Sequence, residues 1–223
     1  MVTQKSPPAR NAAKTRQKIL DSVGRILARR GFARLGLRAI AREAKVDKVL
    51  IYRYFGGLPE LLTAFAERSD FFPDLDETLG AGEAERRSLS AAAYSARALA
   101  GTARALRARP LTQAVMRWEL AESNALTRRL GDVREHRGLE VLSALPREGL
   151  RKDLDLAAVA AVLSAGLIYL VLRAKGADEW MGVPIRSEEG WARLERATEL
   201  LVRSVIGEGK SAARPRSSSR GGA

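Results

Sequence analysis

The chain has no cysteine, which excludes disulfides and thiolate metal sites. It has one histidine, His136, and no cluster of His, Asp and Glu beside it. No Gly-rich phosphate loop is present. Metal-assisted and nucleophilic chemistry therefore lack their usual groups, so an enzyme is not expected, and neither a cofactor nor a metal site is. Aromatic residues make up only 5% of the chain and β-branched residues are sparse, so a large sheet is not expected. The N-terminal Lys and Arg residues stand beside no apolar stretch, so no signal peptide is expected. The lack of thiols fits a reducing cytoplasm. No repeat of 20–50 residues is visible.

What remains is helix-forming and basic. Hydrophobic residues are 46% of the 223, enough to bury a core, and Ala, Leu and Arg are abundant. The formal charge of +13 is unevenly spread. Residues 1–56 carry 14 Lys/Arg and 3 Asp/Glu, a net +11, whereas residues 57–207 net −1 and residues 208–223 net +3. A basic block on a neutral body is the electrostatic footprint of a nucleic-acid-binding head. A solvated basic face gives the same total, so charge alone leaves both open.

Residues 1–13, with Pro7–Pro8 and few large apolar groups, read as a flexible basic arm, and residues 208–223 as a disordered basic tail. A first helix is expected from about Ala13 to Arg30, striped by Ile19, Leu20, Val23, Ile26 and Leu27. Gly31 suits a left-handed helix end, and Phe32 packs back. A second helix starts near Leu37, with Ile40, Ala41 and Ala44 inward and Arg38 and Arg42 outward. After a tight turn at Ala44–Lys45–Val46, Asp47 caps a third helix through Tyr54. Gly56–Gly57 breaks it, and Pro59 opens a fourth helix to about Phe71. Further helices are expected over 84–108, 111–121, 124–144, 155–174 and 188–206, with Pro110, Pro146 and Pro184 between them.

Two short helices across a turn of about three residues have helix-turn-helix spacing. The second helix of such a unit lies in the major groove. Ile51 and Phe55 share its inner face, while Val49 and Arg53 point the other way with Lys48 and Tyr52 on the flank. From Thr15 to Leu62 the sequence resembles the DNA-binding domain of the TetR family of bacterial transcriptional regulators. Arg16, Ile19, Leu20, Arg30–Gly31–Phe32, Ile40–Ala41, Ala44, Val46, Ile51–Tyr52, Phe55 and Glu60–Leu61–Leu62 carry the resemblance. Three positions depart from it. Gly36 stands where the family usually has a phosphate-binding Thr or Ser, Lys45 where it has Gly, and Leu58 where it has Lys. The resemblance implies a phosphate clamp on Thr15, Arg16, Arg38, Lys45 and Tyr52. Base reading is expected from Lys48, Val49, Leu50 and Arg53, with partial burial the alternative for Leu50.

The resemblance implies an all-α protein: a helix-turn-helix DNA-binding domain at residues 14–57 and a helical ligand-binding and dimerisation bundle at 58–207. The implied partners are double-stranded DNA with a near-palindromic operator, a small-molecule effector and a second copy of the chain, with no membrane. Leu156 to Leu172 is nearly all apolar, falls short of a membrane span and reads as a buried helix of a soluble core. Ala157, Ala161 and Ala165 make a smooth ridge on it, and Leu194, Ala197, Leu201 and Val205 an apolar side on the last helix. By resemblance these two helices form the dimer interface. Candidate ligand contacts are Phe65, Tyr94, Met116, Trp118, His136 and Tyr169, with plain core or surface roles as the alternative. Arg117 and Glu119 either orient a polar ligand or pair at the surface. The expected function is a repressor released by its ligand. A TetR-like activator, a ligand-independent regulator and a non-specific DNA binder stay open.

Overall fold

The computed structural model describes residues 9–68, 71–80, 82–148, 150–151 and 153–206. The C-terminal tail and residues 1–8 of the expected arm lie outside them. The described chain is helical apart from one short hairpin. Helix α1 runs over Ala9–Arg30, so the last five residues of the expected arm are helical, as Ala9, Ala12 and Ala13 favour. Its stripe of Ile19, Leu20, Val23, Ile26 and Leu27 is buried as expected.

Gly31 has φ 66° and ψ −169° rather than a left-handed helical ψ. The chain extends here to enter a 3-10 turn at Phe32–Arg34, and this conformation is essentially reserved for glycine. A Cβ at Gly31 would also lie 2.8 Å from the ring of Trp118. Helix α2 (Leu37–Ala44), α3 (Lys48–Phe55) and α4 (Leu58–Ala66) follow. Helix α4 ends five residues before Phe71. Phe71 instead folds back, its ring centroid 4.7 Å from that of Phe65.

Residues from α1 to α4 share one core, with Ile19, Leu27, Phe32, Ile40, Ile51 and Leu62 at its centre. This core is not closed within residues 14–57. Leu61, Leu62 and Phe65 of α4 belong to it, and so do Val115 and Leu130 further along the chain.

The body comprises α5 (Leu75–Leu79), α6 (Glu83–Ser88), α7 (Ala91–Arg107), α8 (Pro110–Ala121), α9 (Ala125–Ser143), α10 (Leu156–Arg173) and α11 (Glu188–Ile206). The single helix expected over 84–108 is split. Leu89 is extended, and Ser90 caps α7 by accepting a hydrogen bond from the Ala93 amide. Pro184 lies in a two-stranded hairpin, Glu179–Trp180 against Val183–Pro184, that sequence periodicity does not suggest. Helix α7 is the hub, packing against α5, α8, α10 and α11. Gly101 permits the close approach of α5, since a Cβ there would sit 1.7 Å from the Thr78 carbonyl oxygen.

Helix α10 is not the fully buried core helix that its composition suggests. Leu156, Leu167, Val171 and Leu172 are buried, but Ala157, Ala161, Val162, Ala165 and Tyr169 face outward. The chain covers one side of this helix only. By length and composition it is the one helix among the described residues that could cross a membrane.

Candidate DNA-binding head and ligand cavity

Helix α2 ends at Lys45, whose φ of 53° and ψ of 49° are left-handed helical, and whose N–H returns to the Ala41 and Arg42 carbonyls. A non-glycine residue in this conformation is strained by about 1 kcal/mol. The reversal lets Asp47 open α3, its Oδ1 accepting from the Val49 amide at 2.8 Å. Ile51 and Phe55 are buried and key α3 into the core. Their burial turns Lys48, Val49, Tyr52 and Arg53 to solvent, with Val49 66% and Tyr52 47% exposed. Leu50 is half-buried.

The Lys48 ammonium stands 5.5 Å from the Tyr52 ring centroid, and the Arg53 guanidinium 5.4 Å from that of Tyr54. The face thus offers two cations, a phenol and a branched apolar side chain at the scale of a base step.

Arg38, Arg42 and Lys45 are exposed beside this helix. Thr15 is half-buried and donates to the Asn11 carbonyl. Arg16 is already engaged inside the head. It donates to the Tyr54 carbonyl at 2.9 Å and lies 4.5 Å over the Phe55 ring, so it caps the C-terminal end of α3 and ties it to α1. Gly36 and Leu58 depart from the TetR pattern without leaving a gap. Gly36 caps α2 by backbone alone, and Leu58 opens α4 and packs against the head core.

Below the head, α7, α9, α10 and α11 surround a cavity of about 240 Å³. Tyr94 of the expected ligand set lines it; the other five do not. Phe65 is in the head core, Met116 in the core between α7 and α10, and Trp118 packs against the head. His136 is exposed in a separate surface groove, 3.4 Å from Glu140. Tyr169 meets Trp180 of the hairpin edge-on at 5.3 Å. Residues outside the expected set also line the cavity, among them Ser95, Thr102, Arg134, Arg137 and Leu142.

The Tyr94 hydroxyl donates to the Val141 carbonyl at 2.8 Å, and burial holds its pKa above the usual phenol value. Glu119 of α8 is nearly buried and receives a hydrogen bond from Arg134 of α9. Desolvation raises its pKa despite the opposing pull of that guanidinium. Glu119 Oε1 and Arg117 Nη1 are buried without hydrogen-bond partners. Of the two roles open to Arg117 and Glu119 from sequence, a ligand contact or a surface pair, Glu119 takes neither simply: it pairs with Arg134 in a largely buried setting. No group of three potential metal ligands occurs among the described residues.

The dimer candidates keep much of their surface open to solvent in the single chain. Ala157, Ala161, Ala165, Ala197 and Leu201 are exposed or half-buried on α10 and α11, as are Leu194 and Val205. Val162 of α10 (72% exposed) and Leu200 of α11 (69%) are further exposed apolar residues on the two helices.

A recognition helix held at the end of a small helical head, on a larger helical body, defines a helix-turn-helix DNA-binding regulator. Residues 19–65 match the family model for bacterial regulatory proteins of the tetR family. No curated protein matches the chain. Among solved structures the chain is similar to a TetR family transcription regulator from Marinobacter aquaeolei VT8. The identity is 17% and the TM-score 0.60, over 90% of this chain and 100% of that one. It is equally similar to the fatty acid degradation regulator FadR of Bacillus halodurans, at 17% identity and a TM-score of 0.60 over 92% and 100% of the two chains. FadR of Bacillus subtilis, solved in complex with stearoyl-CoA, matches at 17% identity and a TM-score of 0.61 over 85% and 98%. At this identity the likeness is one of fold. The head carries the TetR-family signature, and the whole chain has the fold of a TetR-family transcription regulator.

Proposed function

We propose that the protein is a homodimeric transcriptional repressor in the cytoplasm, one that binds a near-palindromic operator and leaves it when a small molecule fills the body cavity. It acts by binding rather than by catalysis. The observation that carries the reading is the outward face of α3: Lys48, Val49, Tyr52 and Arg53 are solvent-facing while Ile51 and Phe55 lock the helix in place. Lys48, Val49, Leu50 and Arg53 read bases; Thr15, Arg38, Lys45 and Tyr52 hold phosphates, and Arg16 supports α3 from behind. One head reads one half-site, so useful affinity needs two at fixed spacing. The exposed apolar faces of α10 and α11 support pairing of two copies.

Release is a population shift between two head spacings. The cavity wall on α9 supports this, because α9 packs directly on α4 of the head. Helix α8, which carries Glu119, supports it too, since Trp118 presses on Gly31 at the end of α1. The stearoyl-CoA complex of the FadR neighbour lends weight to a ligand with an acyl chain.

The test is to select an operator from random duplexes with the purified protein and titrate it by gel shift. Tight binding of a two-fold symmetric site is expected, and Lys48→Ala is expected to weaken it by roughly 1–3 kcal/mol for each base that the ammonium touches. Binding that a modest excess of bulk DNA removes equally from every sequence overturns the proposal.

A further inference from the structure

The cavity is polarised along one face of α9. Arg134 and Arg137 line one end, and Val141, Leu142 and Leu145 the other, at successive turns of the helix and just past its end. From Arg134 to Leu145 this face runs about 16 Å. The opposing walls carry Ala98 on α7, Leu163 on α10 and Ile206 on α11, with Ser95, Thr102 and Ser164 supplying hydroxyl groups. The cavity has a volume of about 240 Å³.

The arginine end has donors to spare. Arg134 donates to Glu119 and Arg137 to Glu140, and a guanidinium carries five N–H groups. Ser95 Oγ, on the α7 wall of the cavity, is buried without a hydrogen-bond partner. Buried polar groups are normally satisfied, so this hydroxyl marks where a ligand oxygen or an ordered water belongs. Among the described residues Glu135 is the one acidic group on the lining, while Glu119 and Glu140, off the lining, each pair with one of the two arginines. A planar carboxylate that takes the place of one of these partners matches the guanidinium fork.

We infer that the cavity takes an aliphatic monocarboxylate, its tail along Val141, Leu142 and Leu163 and its carboxylate on Arg134 and Arg137. This deepens the ligand-responsive reading above and rests on its choice of cavity. The carboxylate competes with Glu119 for Arg134, which links the filled cavity to α8 and so to the contact of Trp118 with Gly31.

Full-length protein is titrated calorimetrically with octanoate, 1-octanol and octylamine. Octanoate is expected to bind at least about tenfold more tightly than 1-octanol, with octylamine not binding. Ala160→Leu, which fills the cavity from α10, abolishes octanoate binding. The double variant Glu119→Gln/Arg134→Gln removes the pair without stranding one charge, and lowers octanoate affinity about tenfold while leaving 1-octanol within about twofold. Arg137→Gln provides the same charge test at a second site and remains informative should the double variant fail to fold.

Octanoate binding no more tightly than 1-octanol, or binding unchanged in a folded Ala160→Leu variant, overturns the inference. Operator release is read separately. Octanoate that binds without freeing the operator sinks the release mechanism and leaves the ligand assignment standing. A different compound that frees the operator while octanoate does not bind sinks the assignment and leaves the mechanism standing.

Discussion

Lys45→Gly separates two effects of opposite sign at one position. Lys45 adopts φ 53° and ψ 49°, and its side chain is exposed. Glycine adopts this conformation without the steric penalty that a Cβ brings, so the variant is expected to gain about 1 kcal/mol in folding stability. For a chain of this size that is an increase in Tm of roughly 2–4 °C. Loss of the ammonium acts against DNA binding. Each phosphate contact contributes about 0.9 to the slope of log affinity against log salt, so two heads lose about 1.8. Thermal unfolding by circular dichroism and gel shifts across a salt series measure the two effects on the same preparation. A Tm that stays level or falls refutes the strain argument. An unchanged salt slope removes Lys45 from the phosphate clamp, whatever the Tm does.

Tyr94→Phe removes the donor to the Val141 carbonyl, one of the last four of α9 and without an onward helical partner. It is expected to cost about 1–3 kcal/mol in urea unfolding, and a neutral result sinks this role for the hydroxyl. Glu119→Gln tests the buried carboxyl. Burial raises its folded pKa, so the folded state holds the proton more tightly than the unfolded one. Glu119 therefore makes the parent progressively less stable as pH rises from the ordinary carboxylate range through the raised value. The stability of Glu119→Gln relative to the parent should grow over that window, and a pH-independent difference counts against it. Leu201→Glu places a charge on a side chain 52% exposed in the single chain. Equilibrium sedimentation is expected to show the variant as monomer and the parent as dimer, with near-parent helicity, and a variant that still dimerises moves the interface elsewhere.

The head is legible in the sequence because its determinants are local. The stripe of Ile19, Leu20, Val23, Ile26 and Leu27, the Asp47 cap and the buried Ile51–Phe55 pair follow from spacing within a few residues, and all are present. The turn at Lys45 is legible for the same reason. At Gly31 the observed ψ departs from the helix-end value because the residues after it, not the helix before it, set the path of the chain. The break at Leu89 within residues 84–108 is hidden because the Glu and Arg before it and the alanines after it are all good helix formers.

The ligand contacts are a different matter. Size favours aromatic residues and Met as cavity walls, yet Phe65, Met116 and Trp118 fill cores or the junction between head and body. The cavity is built on α9, where the progression from Arg134 through Arg137 and Val141 to Leu145 is a face that changes from charged to apolar.

The sequence by itself determined that the chain is helical, where most helices begin, and which face of α3 turns outward, since periodicity, capping and turn chemistry act over one or two turns of backbone. Tertiary structure alone decided that Arg16 caps α3, that Arg134 meets Glu119 across two helices, and that α10 keeps half its apolar surface uncovered. On a helix as charged as α9, which arginine is drawn inward depends on the helices crossing it, and those contacts join residues far apart in the chain.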